Sequence, residues 1–141
     1  MEIALSLVPG VAADALRQHL PGVISAYLFG SVAEGRSHRE SDVDVAVLLD
    51  RGMYPRPAER FDVRLRGIVR LTSALGRDVD LVILNDVPPQ FARRILTTGR
   101  PLLVTDASVD GAFRQATMSR AADLEPFLRR ARQVTLQVLG R

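Results

Sequence analysis

The sequence contains no cysteine and no lysine, and aromatic residues make up only 5% of its 141 residues. Without cysteine, disulfide frameworks, thiolate nucleophiles, cysteine-ligated zinc and iron–sulfur clusters are all excluded. Without lysine, Schiff-base chemistry and the lysine of a Walker A loop are excluded as well. Any phosphate that this protein handles must therefore meet arginine, backbone amides or a metal ion.

Long apolar runs and a basic leader are also missing. No apolar segment approaches the ~20 residues needed to cross a bilayer, and the stretch from Met1 to Leu7 carries an acid and no basic residue, unlike a signal peptide. We therefore expect an intracellular, cytoplasmic protein that does not act at a membrane. With 47% hydrophobic and 25% charged residues, the chain is predicted to form a single domain over residues 1–141.

Charge is distributed unevenly, although the formal net charge is only +3. Residues 1–50 hold three arginines against seven acids, whereas residues 51–141 hold sixteen against nine. A basic C-terminal part is compatible with nucleic acid or with an acidic partner. Direct nucleic-acid binding is not the function we expect, because the few aromatic residues offer no stacking platform.

Hydrophobic periodicity and turn residues predict an α/β fold on a small sheet. Helices are predicted over Val11–Leu20, Pro57–Gly76 and Asp86–Gly99, the last capped by Asp86. Strands are predicted over Val23–Phe29, Asp42–Leu49, Asp78–Leu84 and Pro101–Val104, the last at an edge. We expect C-terminal helices over about 107–139, packed on the domain and divided in two near Pro126.

The helix that begins at Pro57 has an amphipathic pattern. The residues on its apolar face are predicted to be Phe61, Leu65, Ile68, Thr72 and Leu75, with Arg60, Arg64 and Arg70 elsewhere.

Acidic residues stand two apart at the entry of two predicted strands. Asp42 and Asp44 share one face of their strand, about 6.5–7 Å apart, and Asp78 and Asp80 share a face in the same way. If the two strands are sheet neighbours, three or four carboxylates line one patch. Folding does not require such a cluster, because like charges side by side cost stability.

A hard divalent cation with oxygen ligands would relieve this repulsion. Carboxylates without histidine or cysteine favour Mg²⁺ or Mn²⁺ over zinc, and the two histidines, His19 and His38, are too far apart in the chain to form a local metal pair. A pair of such ions suits in-line displacement at phosphorus. The cluster therefore indicates phosphoryl or nucleotidyl transfer.

Gly30 and Ser31, at the end of the strand Val23–Phe29, supply a second feature. A glycine at a strand end lets the backbone approach a phosphate closely, and a serine hydroxyl and turn amides donate hydrogen bonds to its oxygens. A triphosphate would lie between this turn and the metal ions.

Together, these motifs resemble the minimal nucleotidyltransferases (MNT), a branch of the DNA polymerase β-like superfamily. The matching residues are Gly30, Ser31, Gly35, the run from Ser41 to Val45, and the run from Val79 to Val82. The resemblance implies the nucleotidyltransferase fold, a small mixed sheet flanked by helices. It extends from about Val23 to Leu84 and more loosely beyond.

The resemblance also implies roles for individual residues. Gly30 and Ser31 match the residues that hold the β- and γ-phosphates of ATP. Asp42 and Asp44 match the two ligands of the Mg²⁺ ions, and Asp80 matches a third carboxylate that helps to activate the acceptor hydroxyl. For Asp78, and for the loop residues Arg36, His38 and Arg39, the resemblance assigns no role.

The segment after the predicted sheet can form helices but hardly an acceptor-binding domain. We therefore expect another protein to complete the acceptor site. Stand-alone MNT proteins are commonly paired with a helical HEPN ribonuclease toxin, and the resemblance implies an antitoxin that transfers AMP from ATP to a tyrosine of that partner.

Two alternatives stay open. One is a binding module that silences its partner by occlusion, through a terminal surface that contains Phe113, Phe127 and Leu128 beside Arg129, Arg130 and Arg132. The other is nucleotidyl transfer to a small molecule such as an aminoglycoside, which is disfavoured by the mostly basic segment beyond Leu84.

Overall fold

The computed structural model describes residues 2–35 and 42–140. Ser41 and the loop residues Arg36, His38 and Arg39 lie outside the described residues. The helices and strands, in chain order, are α1 (Val8–His19), β1 (Val23–Phe29), α2 (Gly30–Ala33), β2 (Val43–Leu49), α3 (Pro57–Leu75), β3 (Val79–Ile83), α4 (Pro89–Thr98), β4 (Arg100–Val104) and α5 (Ala107–Leu139).

The strands form one sheet in the order β3-β2-β1-β4, in which β2 and β3 run parallel and the other neighbours run antiparallel. This is the small mixed sheet that the sequence predicts. β4 lies at an edge, as expected, and β3 forms the other edge.

Helices cover both faces of the sheet. α1 and α3 pack on one face, where Leu16 and Leu71 join Val45 of β2 in the larger apolar core. α4 covers the other face, where Ile95 packs against Ala46 and Tyr27. α3 ends as predicted at Gly76, whose left-handed backbone (φ 62°) closes the helix.

The predicted apolar face of α3 is correct in part: Leu75 is buried and Ile68 packs against the core, but Phe61 and Leu65 do not face it. The residues of α3 that are buried are Arg60, Val63, Gly67, Leu71 and Leu75. Phe61 and Leu65 are instead 52% and 47% exposed. Both rows have helical spacing, so apolar character alone could not decide between them. Arg60 is buried because its guanidinium pairs with Asp86, with an Nη2–Oδ1 distance of 2.7 Å.

That ion pair also corrects the prediction that Asp86 caps α4. Pro88 occupies the N-cap position and makes no side-chain cap hydrogen bond. Asp86 lies in the preceding 3₁₀ turn, Leu84–Asp86, where its carboxylate accepts from Arg60.

The predicted division of residues 107–139 into two helices is wrong, since α5 is continuous with Pro126 inside it. Gln90 donates a 2.9 Å hydrogen bond to the carbonyl of Ala121, one turn before the proline. Pro126 leaves the carbonyl of Ala122 without its helical donor, and because Ala122 is exposed, water can hydrogen-bond to that carbonyl instead. In the described residues, no helix has the combined length and apolarity that crossing a membrane requires.

Candidate active site

The predicted acids and the Gly-Ser turn meet along one end of the sheet. Phe29, the last residue of β1, lies opposite Asp44 of β2, and Asp44 lies beside Asp80 of β3. Residues at the same level on neighbouring strands point to the same face, at a spacing of about 4.8 Å. The register therefore forms a row from the turn at Gly30, through Asp44, to Asp80.

Gly30 and Asp44 are in direct contact. Gly30 has a positive φ of 75°, and a Cβ on it would overlap the Oδ2 atom of the Asp44 carboxylate. Gly30 begins the four-residue helix α2, and the amide of Glu34 donates to its carbonyl. Ser31 follows in the same turn and is half-buried. Glycine at position 30 thus lets the turn approach the carboxylate without a steric clash.

The carboxylates influence one another electrostatically. The pKa of Asp44 is raised above its ordinary value, first because burial penalises the charged form and then because the negative charges of Asp80 and Asp42 repel it. Asp42 immediately precedes β2 and is exposed. The negative charges of Asp42 and Asp80 therefore both act on the Asp44 carboxylate.

Asp80 has a neighbour that the sequence did not suggest. Its Oδ1 atom lies 3.4 Å from Nη2 of Arg64, and the Nε of Arg64 donates a 2.6 Å hydrogen bond to the carbonyl of Leu81. Arg64 comes from α3 and reaches around the free edge of β3. Its amphipathic position indicated only a solvent-facing arginine, and nothing in the spacing of Arg64 and Asp80 along the chain signalled the contact.

The carboxylates of Asp42, Asp44 and Asp80 are chemically suitable ligands for a divalent cation. The donors are carboxylate oxygens, which Mg²⁺ prefers, and their mutual repulsion is the cost that a cation removes. In residues 2–35 and 42–140, no three acidic or histidine side chains are already grouped closely enough to hold a metal ion. The Asp80 carboxylate lies beside the guanidinium of Arg64.

The other end of the row is lined by aromatic residues. Phe29 packs edge-to-face on Phe91 of α4, with ring centroids 6.0 Å apart. A cavity of about 190 Å³ lies beside this pair, and Gly30, Glu34 and Arg94 also line it. The turn at Gly30 therefore has an open, partly basic space on the side away from Asp80.

Residues 13–108 match the family model described as polymerase beta, nucleotidyltransferase. This chain belongs to the polymerase beta nucleotidyltransferase family. The matched range contains the glycine-serine turn and Asp42, Asp44 and Asp80, and the match confirms the resemblance and the fold class that the motifs indicated. As a family member, the protein is a nucleotidyltransferase.

Individual proteins similar to this nucleotidyltransferase have more specific descriptions than the family model. The protein adenylyltransferase MntA of Shewanella oneidensis is 35% identical over 112 residues, which cover 78% of this chain and 74% of MntA. A crystal structure of a toxin-antitoxin with AMP-PNP superposes with a TM-score of 0.69 at 29% identity, covering 94% of this chain and 98% of that one.

The fold also matches an MNT antitoxin that was solved in complex with a tri-AMPylated HEPN toxin of Shewanella oneidensis. The TM-score is 0.65 at 26% identity, over 98% of this nucleotidyltransferase and 100% of that chain. The comparison reaches through α5, so the similarity includes the terminal helix and not only the sheet.

Proposed function

We propose that this protein is a cytoplasmic, Mg²⁺-dependent adenylyltransferase that transfers AMP from ATP to a tyrosine of a HEPN ribonuclease partner and so acts as its antitoxin. The observation that carries the proposal is the row of the site: the turn at Gly30 contacts Asp44, and Asp44 lies beside Asp80. The relatives named as a protein adenylyltransferase and as an antitoxin on an AMPylated HEPN toxin support the choice of substrate and partner.

Each residue of the row has a task in this reaction. Gly30 and Ser31 hold the β- and γ-phosphates. The tyrosine oxygen attacks the α-phosphorus, the bond from that phosphorus to the bridging oxygen breaks, and pyrophosphate leaves. The hydroxyl proton passes to the Asp80 carboxylate and then to water. When bound by Asp42, Asp44 and Asp80, Mg²⁺ supplies charge neutralisation for the phosphates.

A transfer assay tests the proposal. The protein is incubated with labelled ATP, Mg²⁺ and its HEPN ribonuclease partner, and we expect the label to appear on a partner tyrosine. We expect Asp42→Ala combined with Asp44→Ala to abolish labelling, because two of the carboxylates that would hold Mg²⁺ are lost. Asp14→Ala on α1, where the side chain is exposed, is the matched control and labels normally. Absence of transfer with Mg²⁺ and with Mn²⁺ contradicts the proposal.

Occlusion without catalysis is a second candidate, and the exposed end of α5 favours it. Phe127, Leu136 and Leu139 are exposed there, and Arg130 lies over the ring of Phe127. Phe113, in contrast, is partly buried and packs against the core. If the double aspartate variant still blocks the partner's ribonuclease activity at equal concentration, occlusion is the mechanism.

A further inference from the structure

A large cavity lies at the free edge of the sheet, beyond Asp80. It measures about 800 Å³ and opens between the N-terminal half of α3 and the edge strand β3. Its apolar lining consists of Pro57, Ala58, Phe61, Val82, Ile83 and Val87. Phe61 lines this cavity on the face of α3 that the sequence predicted to be buried, and it is 52% exposed.

This cavity adjoins the Asp80 end of the row, although Asp80 itself is not part of its lining. Val82 stands two residues after Asp80 on β3, so the two side chains share a face. Arg64, which also lines the cavity, contacts the Asp80 carboxylate. A group bound in the cavity therefore lies next to Asp80, on the side away from Gly30.

The direction of attack at phosphorus decides from which side of the row the acceptor oxygen approaches. In an in-line displacement the attacking and leaving oxygens lie on opposite sides of the phosphorus. With the β- and γ-phosphates at Gly30 and Ser31, pyrophosphate leaves toward β1. The acceptor oxygen must then arrive from the opposite direction, past Asp80 and over the cavity.

The walls of the cavity suit a polypeptide better than a polycationic small molecule. Its apolar residues match an aromatic acceptor and its apolar neighbours, since burying such side chains is favourable. Of its charged residues, Asp86 pairs with Arg60 and Arg64 with Asp80, while Asp62 is exposed. A polycationic aminoglycoside would therefore meet one exposed carboxylate on a mostly apolar wall, whereas an apolar polypeptide segment matches most of the lining.

We infer that the cavity between α3 and β3 is the acceptor-docking surface, which binds the apolar polypeptide segment of the partner that carries the acceptor tyrosine. This inference rests on the proposed function and adds to it the surface on which the acceptor is bound.

Two glutamate substitutions test the inference. Phe61→Glu places a charge in the apolar wall, and Ala58→Glu does so at an exposed position in the first turn of α3, where an acid suits the helix dipole. Label transfer from ATP is measured against the concentration of the HEPN protein. We expect both variants to raise the KM for that protein about tenfold or more, with unchanged affinity for AMP-PNP.

Leu7→Glu is the matched control. Leu7 is 57% exposed and precedes α1, next to the segment whose Ile3 amide donates to Leu75 at the far end of α3. It is expected to keep the wild-type KM. Circular dichroism checks that all three variants are folded.

The outcomes separate the two proposals. If the wild type labels the partner and both cavity variants keep its KM, the docking inference is wrong and the proposed function stands. If Phe61→Glu instead dissociates a dimer of the wild-type chain, the surface binds a second copy and the inference is also wrong. If the wild type labels no partner, the proposed function fails and the inference fails with it.

Discussion

At the scale of single residues, Gly30 and Asp44 depend on each other. An alanine at position 30 would overlap the Asp44 carboxylate and would also require a positive φ of 75°, which costs an L-residue roughly 1–2 kcal/mol. We expect Gly30→Ala to lower the rate of AMP transfer by roughly 100-fold, because the carboxylate must move from its position beside the turn. Single-turnover labelling of the partner measures this.

Gly35→Ala is the control that separates the backbone strain of a positive φ from the steric overlap with Asp44. Gly35 has a similar positive φ of 70°, but a Cβ there meets nothing within 4 Å. Its alanine variant is expected to lose stability without the loss of rate seen at Gly30. Equal rates for the two variants would show that the contact with Asp44 is unimportant for transfer.

The raised pKa of Asp44 predicts a pH dependence of stability. Because burial and the charges of Asp80 and Asp42 raise this pKa above its ordinary value of 3.8, the folded state binds more protons than the unfolded state as the pH rises through that range. Stability therefore falls with rising pH, and the penalty is fully present at neutral pH. Asp44→Asn is expected to raise Tm at pH 7 in EDTA, with a gain that disappears below about pH 4.

Asp123→Asn is the control for this variant. It also removes one negative charge, but from an exposed position on α5. Thermal unfolding is followed for both variants across the pH range. A gain of the same size from Asp123→Asn, or a gain from Asp44→Asn that persists at acidic pH, would contradict the electrostatic explanation.

At the scale of elements, a buried polar cluster fixes α5 on the sheet. The hydroxyl of Tyr27 on β1 donates to Asp110 at 2.6 Å, and the Nε of Arg114 donates to both, at 3.1 Å to Tyr27 and 3.3 Å to Asp110. Burial and the hydrogen bond to Asp110 raise the pKa of Tyr27, which keeps the phenol protonated as the donor. Arg114 also donates to the carbonyl of Leu96 and so joins α4 to the cluster.

Tyr27→Phe is expected to destabilise the protein by about 1–3 kcal/mol, because it leaves the buried Asp110 short of a donor. Urea unfolding measures the change. Tyr54→Phe is the control: it removes a hydrogen bond of the same 2.6 Å length to the carbonyl of Pro21, but at an exposed site where water can replace it. A larger loss at Tyr54 than at Tyr27 would show that the cluster is not what fixes α5.

Element positions followed from the sequence wherever local chemistry decided them. β1 has the predicted bounds, and α3 ends at the predicted glycine. Two of the three errors have a cause that is remote along the chain: Asp86 bonds to Arg60 rather than to the backbone of α4, and packing on the sheet decided which face of α3 is buried. The third error was local, since α5 continues through Pro126 at exposed residues where water can replace the missing donor.

At the scale of the whole molecule, the candidate site is assembled from residues at the ends of three strands, β1, β2 and β3, rather than from one segment. Nucleotide binding should therefore stabilise the entire fold. In the presence of Mg²⁺, AMP-PNP at 100 times its Kd is expected to add about 2.7 kcal/mol to the free energy of unfolding. Differential scanning fluorimetry measures the accompanying rise in Tm.

The Asp42→Ala, Asp44→Ala double variant serves as the reference for this measurement. It is expected to show a much smaller rise with the same nucleotide and Mg²⁺, because the acids predicted to hold the ion are gone. An equal rise in both proteins would place the nucleotide somewhere other than the row from Gly30 to Asp80.

The sequence by itself indicated the family, most of the elements and the candidate acids of the site, because the motif residues and the alternation of apolar and acidic positions are local properties of the chain. Tertiary structure alone decided which strands are neighbours, and hence that Asp80 stands beside Asp44. It also decided that Arg64 reaches Asp80 and that Phe61 faces a cavity. These contacts depend on how α3 is rotated against the edge of the sheet, which packing of the whole core sets and no periodicity encodes.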